Sequence, residues 1–201
     1  MCPSLNSATT IILASASPRR QELLRQAGIG FEVLAANIEE TRRPDESPAE
    51  YVQRVAADKA RRVAGLLAKR GLPPHPVLGA DTEVVIEDEV LGKPRDRGHA
   101  AQLLRRLSGR THTVLSALCL VLPTGEHRAL SASRVRFAAL SELEIQNYVA
   151  SGEADDKAGG YAVQGRAAAF IERIEGSYSG IMGLPLFELT QLLKQAGVQQ
   201  P

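Results

Sequence analysis

The sequence contains no tryptophan and only four tyrosines and four phenylalanines in 201 residues. Single-stranded nucleic acid would find few flat rings to stack on. Charge of one sign is missing too: 24 basic and 23 acidic side chains leave a formal net charge of +1, with no long block of either sign. Duplex nucleic acid is therefore not drawn in by a whole-molecule field, and any anion site must be local. Cysteine is scarce. Cys2 and Cys119 form no spacing motif, and Cys119 sits in an apolar run that predicts burial as a small hydrophobe, which points to a reducing, cytoplasmic setting. The longest apolar run, residues 114–122, is broken by Ser116 and falls well short of the roughly 20 residues of a membrane helix. Residues 11–16 are apolar, but no basic residue precedes them, so they read as a first strand and not as a signal peptide. His75, His99, His112 and His127 show no paired ligand spacing, which argues against zinc and leaves oxygen-bound magnesium or manganese as the metals to expect. There is no glycine-rich phosphate loop and no Gly-x-Ser-x-Gly elbow, so covalent serine catalysis is disfavoured.

What remains is an ordinary globular composition, 44% hydrophobic and 23% charged, in a chain long enough to fold without disulfide or metal staples. Its organisation is α/β or α+β, with a mixed sheet: one domain over 1–201 with an ordered core near 10–197, arranged as two lobes around a cleft. Residues 11–15 and 31–34 read as strands. Between them Ser17 caps a helix that opens with Pro18 and stops at Gly28. A long helix over 49–69 follows a charged loop. Residues 77–86 and 89–92 form a hairpin turning at Glu87 and Asp88, with Ile86 opposite Glu89. Asp96 caps a helix whose apolar face is Ala100, Leu103, Leu104 and Leu107. Residues 111–122 and 128–140 read as two further strands, and Ser141 with Glu144 makes a capping box. A loop over 151–165 precedes a strand over 167–174 and a closing helix over 186–196.

Two places carry chemistry. The first is LASASPRR, residues 13–20, between a buried strand and a helix: unpaired backbone donors, the hydroxyls of Ser15 and Ser17, and the charges of Arg19 and Arg20 meet at one helix N-terminus. Two arginines at the positive end of a helix are unfavourable unless an anion compensates them. A phosphate cradle and a capped surface helix with solvated arginines are both compatible with this pattern. The second is Asp81, in the middle of the apolar run 77–86, where an uncompensated carboxylate is costly to bury. Lys93 lies across the hairpin as a partner and a metal ion is another; a structural ion pair and a catalytic carboxylate both remain open. Lys59, Lys157, Glu39, Glu40, Asp155 and Asp156, taken one at a time, read as solvated surface.

These segments, together with QELL (21–24), GADT (79–82), LGKPRD (91–96), LSGRTH (107–112), DKAGGYAVQG (156–165) and GSYSGIMGLPL (176–186), resemble the Maf family in order and over almost the whole of 11–196. The resemblance implies a two-lobed fold related in shape to the inosine-triphosphatase group. It also implies hydrolysis of a nucleoside triphosphate between its α and β phosphates. The similarity is nearest to members acting on dTTP and UTP, in which Arg19, Thr82 and Gln164 correspond to specificity positions and Asp81 to the proton acceptor. Ala162 and Ala167 to Ala169 depart from residues common in that group, which bears on loop shape and not on the reaction. On this footing Ser17, Arg20, Lys59 and Lys93 join the substrate-binding set. A divalent metal, magnesium or manganese, is expected, with Glu40 as a candidate ligand. Gln164 has a physical case of its own: its amide can pair with the N3–H and a carbonyl of uracil or thymine, and cytosine lacks that N3–H. The expected partner is a nucleoside triphosphate, not nucleic acid or membrane, and family members often form homodimers. A nucleotide-binding regulator of cell division and a pyrophosphatase for purine or methylated nucleotides are the competing functions.

Overall fold

The computed structural model describes residues 10–198, so Cys2 lies outside it. Seven strands form one mixed sheet in the order β2-β1-β3-β5-β6-β7, with β4 paired to β3. β1 (Ile11–Leu13) runs parallel to both β2 (Phe31–Val33) and β3 (Val77–Ile86). β5 (Thr111–Leu122) and β6 (Gly125–Phe137) make a long antiparallel hairpin, and β7 (Ile171–Glu175) closes that edge. The helices are α1 (Pro18–Gln26), α2 (Pro48–Lys69), α3 (Arg97–Leu107), α4 (Glu142–Ala150), α5 (Tyr178–Met182) and α6 (Leu186–Gln195). None of them is long and apolar enough to cross a membrane.

Most of these elements follow from local chemistry. Ser17, Asp96 and Ser141 cap α1, α3 and α4 as expected, and Ser47 with Glu50 adds a capping box on α2. Glu87 and Asp88 both take positive φ, as a type I′ turn requires, and Ile86 does face Glu89. Two expectations need correction. β6 begins at Gly125 and ends at Phe137, because Pro123 and Thr124 alone make the turn and Leu122 pairs with Gly125. Residues 167–174 are not one strand: a 3-10 helix (Arg166–Phe170) precedes β7, since three consecutive alanines supply no β-branched or aromatic surface and the strand starts only at Ile171.

β3 is where the fold makes room for a site. Along one edge it pairs with β5 from Val77 to Val85. Along the other it meets β1 only at Val77 and Leu78, and β4 only from Val84 to Ile86. Residues 79–83 are left as a notch between two short strands. α2 covers one face of this region, and Gly79 is why it comes so close: a Cβ there would lie 2.0 Å from the Ala56 carbonyl oxygen and 2.8 Å from the Ala60 nitrogen.

Candidate active site

The notch opens into a cleft of about 400 Å³. Residues 14–20 and α2 border it on one side, Lys93 lies beyond β4, and residues 156–164 close it from the other side. The nine residues of the expected catalytic, substrate-binding and metal set, Ser17, Arg19, Arg20, Glu40, Lys59, Asp81, Thr82, Lys93 and Gln164, line this one cavity, whereas Glu39 and Asp155 do not.

Its floor is an ion cluster. The Lys59 ammonium lies 2.8 Å from Asp81 Oδ1 and 2.9 Å from Glu40 Oε1. The partner of Asp81 is therefore Lys59, not Lys93 across the hairpin, and Lys59 is 7% exposed instead of solvated. The signal was present in the sequence: Lys59 falls seven residues after Val52 and four before Val63, on the buried face of α2. Lys93 is exposed at the mouth. Asp81 is also not the lone carboxylate of its run. Glu83, two residues on and hence on the same face of β3, is 8% exposed and lines the cleft. Burial, reinforced by the charges of Asp81 and Glu40, pushes its carboxyl up to about 8. The alternation of a strand would have found it.

Asp81 Oδ2 and Glu83 Oε2 are both buried without a hydrogen-bond partner. They are hard oxygen donors of the kind magnesium and manganese take. Among the described residues no group of three or more His, Cys, Asp or Glu side chains forms a complete ligand set.

The turn after β1 behaves as a cradle with one arm braced. Ser15 Oγ accepts the Ser17 N–H at 3.2 Å and an Arg20 guanidinium N–H at 3.1 Å. Arg20 also donates to the Gly183 carbonyl at 2.9 Å and to Thr82 Oγ1 at 3.4 Å. Thr82 shares a 2.8 Å hydrogen bond with Ser116, which donates to the Gly180 carbonyl at 2.6 Å. Arg20 and Thr82 thus tie residues 13–20 and the segment around α5 to β3, and burial pulls the Arg20 pKa down against the opposing pull of Asp81. Arg19, half-buried, enters no ion pair among the described residues. Burial lowers its pKa while Asp156 raises it, and Lys157 on the facing loop is lowered by burial and by Arg19. Five cationic and four acidic side chains face the cavity, a local concentration that the net charge conceals.

Behind the facing loop, His112 Nε2 is 2.8 Å from the Tyr161 hydroxyl, both side chains being buried. Tyr161 lines the cleft, and Gln164 stands exposed at its rim.

The family described as Maf-like protein matches residues 10–196. The chain belongs to the Maf family. It is 53% identical over 192 residues to the dTTP/UTP pyrophosphatase of Cupriavidus pinatubonensis, covering 92% of this chain and 96% of that protein. The dTTP/UTP pyrophosphatases of Ralstonia nicotianae and Nitrosospira multiformis are 52% and 50% identical, each over 94% of this chain and 94% and 95% of their own lengths. Among solved structures, the Staphylococcus aureus Ham1 protein aligns with 94% of this Maf-family chain and 100% of its own, at 13% identity and a TM-score of 0.49.

Proposed function

We propose that this chain hydrolyses dTTP and UTP to the nucleoside monophosphate and pyrophosphate. The names of its relatives support the substrate and reaction, and one observation in the site carries the chemistry. Asp81 lines the cleft, with one oxygen held by Lys59 and the other buried without a hydrogen-bond partner. An ionised carboxylate so placed can take a proton from a water molecule, provided its charge is offset, and the Lys59 ammonium offsets it.

The triphosphate tail lies among Arg19, Lys93 and the N-terminal amides of α1, which supply the fixed positive charge that phosphoryl-type transfer needs. Water attacks the α-phosphorus as its proton passes to the Asp81 carboxylate. The bond from that phosphorus to the bridging oxygen breaks, and pyrophosphate leaves towards the basic side chains. Lys157 faces the same tail from the other wall. Arg20 and Thr82 also brace the cradle against β3, and Arg20 keeps further guanidinium N–H donors for the phosphates.

Glu83 and Glu40 would hold a magnesium or manganese ion at the cleft. When bound, such an ion would neutralise charge on the phosphates. Gln164 reads the base through its amide. A panel of triphosphates tests this assignment: wild type should favour uracil and thymine over cytosine and purines, and Gln164→Glu, which lacks the amide donors, should lose that preference. A variant as selective as wild type would remove Gln164 from the reading.

A further inference from the structure

An amide selects a base edge only as well as the backbone that carries it is held. Gln164 is exposed, so its own side chain contributes little to its placement. The backbone on both sides of it is tied down from the end of α4. The hydroxyl of Tyr148, a residue 2% exposed, accepts the Ala162 N–H at 3.0 Å and donates to Glu153 Oε1 at 3.0 Å. The other carboxylate oxygen, Glu153 Oε2, accepts the Arg166 N–H at 3.1 Å. A single carboxylate therefore reaches the chain two residues before Gln164, through one hydroxyl, and two residues after it directly.

The packing shows the same contact a second way. A Cβ on Gly165 would lie 2.1 Å from Glu153 Oε1 and 2.4 Å from its carboxyl carbon. Gly165 has φ −109° and ψ −150°, extended backbone open to any residue, so a Cβ here would act through space, by displacing the Glu153 carboxylate from its seat. Glu153 is itself seated: its N–H donates to Ser151 Oγ at 3.3 Å, and that hydroxyl donates to the Tyr148 carbonyl at 2.6 Å.

We propose that Tyr148 and Glu153 form a clamp whose task is to position Gln164, making them specificity-determining positioning residues for the base, with Gly165 as the gap that lets the clamp close. The proposal rests on the reading of Gln164 as the base-reading side chain. The bracket spans Val163, Gln164 and Gly165, and of these Gln164 carries the exposed polar side chain that lines the cleft.

Kinetics with UTP and CTP on wild type, Tyr148→Phe, Glu153→Ala, Gly165→Ala and the double variant Glu153→Ala with Gly165→Ala test it, with thermal unfolding recorded alongside. Each single change should cut the UTP-to-CTP ratio of kcat/KM by about tenfold or more, mainly through KM. The double variant should be no worse than Glu153→Ala alone, because the added methyl then enters vacated space. Tyr148→Phe removes a single oxygen, so it keeps the test available where larger truncations fail to fold. Variants that lose thermal stability yet keep the wild-type ratio would overturn the clamp, as would additive losses in the double variant. Should wild type itself show no preference for uracil over cytosine, the base-reading role of Gln164 fails. Amide hydrogen exchange of residues 162–166 then decides the clamp separately: roughly tenfold faster exchange in Glu153→Ala supports it, and unchanged exchange overturns it.

Discussion

Lys59 shows how much one buried charge decides. It is the cation nearest to Asp81 and Glu40, and Glu83 lies close enough to feel the same field. Lys59→Ala would strand that acidic group in a buried notch, and breaking such a pair from one side costs about 3–5 kcal/mol. Urea denaturation should show a loss of that size, whereas a change within about 0.5 kcal/mol would mean the cluster is solvated after all. His112 and Glu83 carry opposing pH dependences. Burial holds the His112 imidazole near 4 in the folded chain against 6.5 when exposed. The unfolded chain therefore binds that proton first, and the His112 contribution to stability falls by roughly 3 kcal/mol as pH drops from about 6.5 to about 4. Glu83, pushed up to about 8 from 4.5, works the other way: its contribution is lost as pH rises from about 4.5 to about 8. His112→Gln should remove the first effect only, so the stability difference between the two proteins should change by roughly 3 kcal/mol between about pH 6.5 and about pH 4; parallel curves for the two proteins would contradict the assignment. At this scale the sequence is readable where a residue breaks its own pattern. Asp81 stands out because a carboxylate in an apolar run demands compensation. Lys59 looks solvated when taken singly, although its spacing from Val52 and Val63 puts it on the core face. Glu83 follows from Asp81, because every second residue of β3 shares a face.

The decisive element is α2, and its height above the sheet is set by Gly79. The Cβ of Gly79→Ala would meet backbone atoms of Ala56 and Ala60, which cannot swing aside as a side chain would. α2 would have to lift, carrying Lys59 away from Asp81. A destabilisation of about 1–3 kcal/mol together with a fall in turnover larger than the unfolded fraction explains is expected. Circular dichroism melts and activity measured on the same samples would check it, and a variant with wild-type turnover would show that the close approach is incidental to the site. Helices were the easiest elements to read, since Ser17, Asp96 and Ser141 announce where they start. The β3–β4 hairpin was equally legible, because a two-residue turn fixes its register. Arg166–Phe170 and α5 were not: each is five residues long, too short for a helical period to declare itself.

Across the whole molecule, the site exists because a ten-residue strand is flanked on one edge by two three-residue strands that leave its middle uncovered. Nothing local encodes that notch. It depends on which edge β1 and β4 both choose, a long-range property that no spacing within a segment reports. The sequence could name the residues that gather around it without showing the gap they fill. A net charge of +1 likewise hid a cavity dense in both signs. The notch brings the cradle, the carboxylates and the base-reading loop to one cleft, so bond cleavage should depend on Asp81 while nucleotide binding should not. The direct measurement is product release from dTTP and UTP with magnesium, comparing wild type with Asp81→Asn and titrating nucleotide binding to both. Wild type should release pyrophosphate, and Asp81→Asn should bind the nucleotide with similar affinity but turn it over on the order of 10²–10⁴-fold more slowly. Equal rates in the two proteins, or orthophosphate as the first product, would contradict the account.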